Sequence, residues 1–400
     1  MAKLVNPYKP GAGIFPPHLA GRESEIERCN LLFNQSLVIK NILLTGLRGV
    51  GKTVLLSRLK EIATGSGWMW CGTDMSESAS VSENTVATRL ITDISVMTST
   101  LMLPPKESLI GFGTPVQKDS RIGFKELTSI YETTPGLASD KLKHLLSMIW
   151  LMVKTYSQYK GIILAYDEVQ TMKDHADKEQ YPLSLILEVF QSLQIKEVPI
   201  LLILTGLPTL QGLLVSTRTY TERMFETIFL NRLDEKASRD AIEKPIKKQK
   251  SELGFSPESI DLIIKTSSGY PYFIQFICRE VFDSFIQQVE AGNTKPNVPI
   301  EEIIKKLDID FFSARWATLS DRQRDLLGVV ASLENSTCEF TTKDVIALSK
   351  TMLEKPLSGS HITQMFEVLQ GKGIIYKNRH GRYSFAVPLL NEFIKRSQNV

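Results

Sequence analysis

The chain has 400 residues, which exceeds the usual size of one domain and predicts two or three. Hydrophobic residues make up 42% and charged residues 23%, a composition typical of a globular protein with a sizeable core. The net charge of +3 permits a nucleic acid partner without arguing for one.

The four cysteines are scattered, with no C-x-x-C pair, which argues against a zinc site or a disulfide framework and favours a reducing compartment. The longest apolar runs have the length of strands and fall far short of the roughly 20 residues that a membrane helix needs. The N-terminus has no apolar core of a secretory signal. We therefore expect a cytoplasmic protein with no membrane partner.

The first third of the chain alternates apolar and amphipathic segments. Residues 1–20 are rich in proline and glycine and predict an extended arm. Arg22–Phe33 has helical periodicity, with Ile26, Leu31 and Leu32 on the face expected to be buried. The following segments predict a strand, a helix and a second strand: Asn41–Thr45, Val54–Ala63 and Trp68–Thr73.

Residues 98–140 contain several prolines and glycines, and we interpret them as an irregular insertion without an assigned role. An amphipathic helix is predicted at Lys141–Tyr156, and further strands at Ile162–Tyr166, Ile200–Thr205 and Glu226–Leu230. Apolar strands that alternate with helices favour parallel pairing with both faces covered. Residues 1–231 are therefore predicted to form an α/β core with a parallel sheet.

One segment of this core carries a recognisable chemistry. Residues Gly46–Thr53 read GLRGVGKT and match G-x-x-x-x-G-K-[ST] between a predicted strand and a predicted helix. The glycines allow unusual backbone conformations, the helix N-terminus favours anions, Lys52 can reach phosphates, and the Thr53 hydroxyl can ligate Mg²⁺. We expect ATP to contact the whole segment: Gly46, Leu47, Arg48, Gly49, Val50, Gly51, Lys52 and Thr53. The alternative is a glycine-rich turn without a ligand.

Acidic residues follow the strand at Ile162–Tyr166, where such a site requires them. Asp167 is predicted to hold Mg²⁺, and Glu168 to polarise the attacking water. Thr205, at the end of another strand, could contact the γ-phosphate. The alternatives are two carboxylates that cap a helix, and a threonine that simply ends a strand.

These motifs together resemble the AAA+/STAND group of P-loop ATPases, especially prokaryotic relatives of origin-recognition-type initiators. Three further segments carry the resemblance: Leu19–Glu23 (LAGRE), Leu204–Pro208 (LTGLP) and Ser267–Tyr272 (SSGYPY). The resemblance implies a P-loop αβα sandwich followed by an α-helical lid at residues 232–299. It also implies that Leu19, Gly21 and Pro271 lie near the adenine.

The resemblance further implies an arginine that acts on the nucleotide of a neighbouring copy, which would require a nucleotide-dependent homo-oligomer. Arg223 is the first candidate and Arg218 the second, and a surface arginine without this role is the alternative. The group usually carries another arginine in its lid, but Gly269–Tyr272 has no adjacent basic residue. This departure favours a slow, switch-like ATPase over a fast motor.

Residues 311–400 predict three helices and a strand pair, in an order that resembles a winged helix. The helices are Asp321–Leu333, Thr342–Ser349 and Ser358–Gly371, with Ser320 and Thr341 as expected caps, and the strand pair is Gly373–Phe385. The third helix would present Ser360, His361, Thr363 and Gln364 to double-stranded DNA, and the wing would offer Lys377, Arg379, His380 and Arg382 to phosphates. Winged helices also dock proteins, so DNA and a protein effector both remain open as partners.

The sequence thus predicts a switch that binds ATP and Mg²⁺, hydrolyses ATP slowly, and couples the nucleotide to movement of the lid and the C-terminal domain. The alternative is a nucleotide-gated DNA-binding regulator, or a subunit that docks a partner, with little or no turnover.

Overall fold

The computed structural model describes residues 5–101, 122–156, 158–379 and 381–398. Its helices are α1 (Glu23–Phe33), α2 (Lys52–Gly65), α3 (Glu83–Thr98), α4 (Phe124–Thr133), α5 (Ala138–Tyr156), α6 (Pro182–Ile195), α7 (Thr209–Thr217), α8 (Thr221–Met224), α9 (Glu235–Gln249), α10 (Pro257–Ser267), α11 (Pro271–Glu290), α12 (Ile300–Leu307), α13 (Ala314–Ala317), α14 (Asp321–Ala331), α15 (Thr342–Met352), α16 (Gly359–Gly371) and α17 (Leu390–Gln398). Its strands are β1 (Asn41–Gly46), β2 (Trp68–Cys71), β3 (Gly161–Tyr166), β4 (Ile200–Gly206), β5 (Phe225–Leu230), β6 (Phe340–Thr341), β7 (Ile375–Arg379) and β8 (Arg382–Phe385).

The described residues divide into two compact units. The sheet unit comprises residues 23–46 and 55–229. The C-terminal unit comprises residues 5–22, 47–54 and 230–398, so the phosphate-loop segment is grouped with the N-terminal arm and the C-terminal half of the chain.

The sheet unit is built on five strands in the order β2-β3-β4-β1-β5, and the β2–β3, β3–β4 and β4–β1 pairs are parallel. Every residue of β1, β3 and β4 is buried, as expected for strands covered on both faces. The predicted α/β class with a parallel sheet is confirmed. The ladder places Tyr166 opposite Leu204, and Leu44 opposite Thr205, so β3, β4 and β1 end at one edge of the sheet.

Helix α6 covers part of this sheet, and a proline and a capping carboxylate define where it begins. Pro182 is its first residue, where a missing N–H costs nothing. The Asp174 carboxylate accepts hydrogen bonds from the N–H groups of Leu183 (2.9 Å) and Ser184 (3.1 Å), which would otherwise lack helical partners. The apolar residues of α6 pack in one hydrophobic core with those of α3 and α5.

Two predictions for the sheet unit are wrong in detail. In α1 the buried residues are Cys29 and Phe33, whereas Leu31 is 63% exposed. The Phe33 carbonyl accepts the indole N–H of Trp68 (2.9 Å), which fixes that end of the helix against β2. Of the predicted face, Leu31 therefore points outward, whereas Ile26 and Leu32 are half-buried.

The second error concerns the segment interpreted as irregular. It contains α4 and the start of α5, while residues 102–121 lie outside the described part of the chain. Glu126 accepts the Gly123 N–H (3.0 Å), and Leu127 is buried in the core, so a cap and an apolar anchor define α4. Pro135 and Gly136 separate two helices and do not mark an unstructured stretch.

Helices α9, α10 and α11 of the C-terminal unit lie within residues 232–299, for which the resemblance implies α-helices. Helix α12 continues through a π-helical turn, Asp308–Ser313, into α13. Phe312 in this turn is fully buried, and its ring stacks on Phe393 of α17 at 5.1 Å between centroids. One core therefore includes the lid helices and the domain that follows them.

Helices α14, α15 and α16 and the β7–β8 pair occur in the predicted order, and the side chains of Ser320 and Thr341 cap α14 and α15. Short strand β6 adds to the pair in an antiparallel sheet of order β6-β8-β7. The segment after β8 forms helix α17. The winged-helix interpretation and the predicted domain limits stay predictions.

Candidate nucleotide-binding site

The phosphate-loop segment has the backbone that its glycines permit. Strand β1 ends at Gly46, and α2 begins at Lys52. Gly49 and Gly51 have φ angles of +78° and +93°, in the left-handed region that side chains disfavour. Gly46 lies in the strand without a positive φ, so two of the three glycines use the backbone freedom that the sequence allows.

Lys52 and Thr53 occupy the first turn of α2. Lys52 is only 6% exposed, and its ammonium group donates a hydrogen bond to the Leu47 carbonyl at 3.0 Å. Thr53 is exposed. A buried lysine that leans back over the loop, beside a helix N-terminus, concentrates positive charge where a phosphate would sit.

Arg22 stabilises this loop and was not singled out by the sequence analysis. Its side chain is buried, and its guanidinium group donates to the carbonyls of Val50 (3.0 Å) and Asn231 (2.7 Å). Arg22 lies inside the LAGRE segment, which the sequence analysis used only for Leu19 and Gly21.

The start of the lid helix is hydrogen-bonded to the phosphate loop. The Tyr272 N–H donates to the Gly49 carbonyl at 3.2 Å, and Pro271 precedes it as the first residue of α11. Gly21 has a φ of +61°, and a Cβ there would lie 2.5 Å from the Cβ of Ala237 in α9. Three of the predicted adenine and phosphate segments therefore converge within the C-terminal unit. Leu19 is partly buried two residues earlier.

Arg48 extends from the phosphate loop to the C-terminal domain. A Cβ at Gly373, between α16 and β7, would lie 3.5 Å from a terminal guanidinium nitrogen of Arg48. Burial, together with the charge of Arg48, lowers the pKa of Arg315. Arg315 in turn donates to the Phe311 carbonyl (2.7 Å), and the Phe311 ring lies 5.3 Å from that of Tyr272.

In the sheet unit, Asp167 and Thr205 come together as the parallel ladder dictates. Asp167 follows β3 and is 4% exposed. The Thr205 hydroxyl donates a hydrogen bond to Asp167 Oδ1, which also accepts the Glu168 N–H at 2.8 Å. The Asp167 carboxylate is thus held at the carboxyl edge of the sheet, beside the end of β1.

Glu168 has a left-handed backbone, with a φ of +55°. Among the described residues of the predicted site, it is the only one other than glycine with this conformation. It is half-buried, and its Oε2 accepts a hydrogen bond from the side-chain amide of Gln170. The Gln170 carbonyl oxygen accepts the Leu207 N–H at 3.1 Å. The sequence analysis did not assign a role to Gln170.

The residues present fit ATP with Mg²⁺. The loop supplies backbone N–H groups, glycines at left-handed positions and the ammonium group of Lys52, which are the groups that bind phosphate oxygens. Thr53 of the loop has a hydroxyl oxygen and Asp167 of the sheet unit has a carboxylate, and each is an oxygen ligand of the kind that Mg²⁺ prefers.

Arg223 is exposed in the short helix α8. It lines an open cavity of about 390 Å³ together with Leu37, Ile39 and Ile195. The second candidate, Arg218, is also exposed. Exposure is what both a trans-acting arginine and an ordinary surface arginine require, so the choice between them stays a prediction.

The predicted DNA-facing residues are on the surface of the C-terminal unit. Ser360, His361, Thr363 and Gln364 are exposed on α16, and Lys377, Arg379 and Arg382 are exposed on the strand pair. Glu339 lies 3.2 Å from Arg379 and 3.9 Å from Arg382, which offsets part of the positive charge of the β7–β8 pair. His380 lies outside the described residues.

The parallel sheet with a glycine-rich loop between β1 and α2 is an α/β fold of the P-loop type, and solved structures of an archaeal protein are similar to the chain over nearly its whole length. The ORC2 protein of Aeropyrum pernix in its ADP form has a TM-score of 0.55, 14% identity and 98% coverage of both chains. The same protein in its ADPNP–ADP complexes has a TM-score of 0.52 and 15% identity, and the match covers 98% of both chains. At these identities the similarity shows the fold alone.

The ORC1 protein of the same organism, in complex with DNA, matches at a TM-score of 0.45 with 15% identity, covering 96% of this chain and 94% of that one, which is too weak to carry an argument. Residues 309–394 match a family model described as a domain of unknown function, DUF8462. No curated protein matches the chain. Among the described residues, no helix is both long and apolar enough to cross a membrane.

Proposed function

We propose that this protein is an ATP-binding switch that hydrolyses ATP slowly and couples the nucleotide to its lid and C-terminal domain. One observation carries the proposal: the phosphate loop contacts both of these elements directly. The Gly49 carbonyl accepts the N–H of Tyr272 at the start of α11, and Arg48 lies against Gly373 in the C-terminal domain. A change in the loop on binding phosphate would therefore act on both.

The binding roles follow from the chemistry of each group. The loop N–H groups and Lys52 would hold the phosphates, while Thr53 and Asp167 would hold Mg²⁺, directly or through water. The metal would neutralise charge on the phosphate oxygens. Leu19, Gly21 and Pro271 would border the adenine, which rests on the family resemblance and on the convergence of their segments.

The remaining groups would serve hydrolysis. Glu168 would orient and polarise the attacking water, and the Thr205 hydroxyl would fix Asp167 and lie near the γ-phosphate. Arg223, supplied by a second copy, would stabilise charge on the transferred phosphoryl group. This last role is supported only by the resemblance and by exposure of the side chain.

A switch needs an element that the ligand can bias, and Lys52 provides one. Its ammonium group donates to the Leu47 carbonyl of its own loop. Phosphate oxygens would compete for that donor and for the loop N–H groups, so the loop would rearrange when ATP binds. The hydrogen bond from Tyr272 and the contact of Arg48 would transmit that rearrangement.

The test measures ATP affinity and turnover, with and without double-stranded DNA. Lys52→Ala should weaken ATP binding by about 10- to 100-fold, since it removes a charge-assisted hydrogen bond. Lys60→Ala, which removes an exposed lysine from the same helix, is the matched control and should bind normally. Glu168→Gln should bind ATP and lose turnover. Equal affinity of Lys52→Ala and Lys60→Ala would contradict the proposal.

The second candidate is a nucleotide-gated DNA-binding regulator, or a partner-docking subunit, with little turnover. The exposed polar face of α16 favours it, while the pairing of Glu339 with the wing arginines argues against a strongly basic surface. Tight ATP binding without turnover, and an unchanged biological output in Glu168→Gln, would support this candidate over the switch.

A further inference from the structure

We infer that Gln170 is a positioning residue that holds the Glu168 carboxylate and ties it to the turn after β4. The inference rests on the proposed function, because it gives a partner to the group proposed to orient the attacking water. Its basis is the pair of hydrogen bonds that the Gln170 amide makes within the sheet unit.

The orientation of this amide follows from its partners. The Leu207 N–H is a donor, so only the carbonyl oxygen of Gln170 can accept it, at 3.1 Å. The amide nitrogen is then directed to Glu168, and an ionised carboxylate can only accept. Glutamine satisfies both partners at once, whereas glutamate would face Glu168 with a second negative charge and methionine would make neither bond.

Gly206 leaves room for this arrangement. A Cβ at Gly206 would lie 2.5 Å from the Gln170 carbonyl oxygen and 2.8 Å from a methyl group of Leu210. A side chain there would push the amide away from the turn. Gly206→Ala should therefore displace the Gln170 amide while both Gln170 and Glu168 keep their identity.

The end of β4 is thereby joined to both carboxylates. Thr205 donates to Asp167, and the Leu207 N–H reaches Glu168 through Gln170. Thr205 and Leu207, two positions apart, thus fix the position of the Asp167 carboxylate relative to that of Glu168. Glu168 has a left-handed backbone, a strained conformation for a residue with a side chain, and such a conformation persists only where the surrounding structure supports it.

The experiment compares Gln170→Met, Gln170→Glu and Gly206→Ala with a control, Gln194→Met. Gln194 belongs to the same unit and donates only to the Ile39 carbonyl, near the opposite end of β1. Gln170→Met and Gly206→Ala should reduce kcat by roughly 10- to 100-fold while ATP affinity changes less than about twofold. Gln170→Glu should also lose kcat, and Gln194→Met should keep it.

Amide hydrogen exchange of the peptide that contains Leu207 provides a readout that does not depend on turnover. Exchange should become faster in Gln170→Met and stay slow in Gln170→Glu, which keeps an acceptor for the Leu207 N–H. Unchanged exchange in Gln170→Met would overturn the inference whether or not the wild-type protein turns over ATP.

A double-mutant cycle separates positioning from a general structural effect. If Gln170 acts through Glu168, then Gln170→Met should cause no further loss of the residual kcat that single-turnover assays detect in a Glu168→Gln background. Additive losses would overturn the inference. So would a normal kcat in Gln170→Met when Glu168→Gln is inactive, and that result would leave the proposed function intact.

Discussion

The backbone N–H of Tyr272 donates to the carbonyl of Gly49 at 3.2 Å, which joins the lid helix α11 to the phosphate loop. The approach is close, because a Cβ on Gly49 would lie 3.3 Å from the Cβ of Tyr272. Gly49 also has a φ of +78°. Its lack of a side chain therefore serves both the loop conformation and the lid contact.

Gly49→Ala should lower stability by about 1–2 kcal/mol through the left-handed backbone, and it should also weaken ATP binding. Gly65→Ala is the matched control, since Gly65 ends α2, has open space around it and lacks a positive φ. Alanine there should be neutral or raise stability by up to about 1 kcal/mol. Thermal unfolding and ATP titration of both variants provide the measurement, and equal behaviour of the two would refute this account.

Arg22 should matter more for stability than its place at the end of an extended arm suggests. Arg22→Ala removes the hydrogen bonds to the carbonyls of Val50 and Asn231 and should cost about 2–4 kcal/mol, since a buried charged donor is lost and the buried Val50 carbonyl loses a partner. Arg28→Ala, which breaks an exposed ion pair with Glu226, should cost less than about 1 kcal/mol. Urea unfolding midpoints test the difference, and similar midpoints would contradict it.

Much of the parallel sheet could be predicted, because its strands are continuous apolar runs next to motifs of fixed spacing. The Asp167–Thr205 contact was implicit in that pattern, since adjacent parallel strands end at one edge of a sheet. The strand register that aligns Asp167 with Thr205 depends on the pairing of all three central strands, and the sequence pattern does not specify it.

Other features escaped the sequence for physical reasons. Gln170 becomes informative only when the turn after β4 is brought to it, and that contact joins positions 37 residues apart. Leu31 and Phe33 are both apolar, and periodicity alone could not decide which of them faces the sheet. Helix α4 was obscured by nearby prolines and glycines, although Gly123 and Glu126 provide its cap.

Glu226 should give the unfolding free energy a specific dependence on pH. The hydrogen bond from Arg28, helped by Lys40, lowers the pKa of the Glu226 carboxyl from its usual 4.5. A carboxyl with a lower pKa in the folded protein adds stability above the unfolded value, and this contribution is lost as the pH falls through the folded value. Glu226→Gln should therefore cost up to about 1 kcal/mol at pH 7 and progressively less below pH 4.5. Glu27→Gln, an exposed change in α1, is the control. A cost that stays constant with pH would contradict the assignment.

Glu339 allows the DNA and protein-docking interpretations of the C-terminal domain to be separated. Its carboxylate lies 3.2 Å from Arg379 and 3.9 Å from Arg382, and it also accepts from Asn378 at 2.9 Å. If the wing contacts DNA, Glu339→Gln should free these arginines and strengthen binding to a labelled duplex by about two- to tenfold at low salt, with a smaller effect at high salt.

Arg382→Ala should act in the opposite direction, weakening binding and reducing the slope of log affinity against log salt by about one. Glu354→Gln, an exposed change in the segment between α15 and α16, is the control and should bind as the wild type does. Fluorescence anisotropy across a salt series measures all four proteins. If none of them binds the duplex at low salt, the wing does not contact DNA, and the pairing of Glu339 with the two arginines fits a surface that docks a protein.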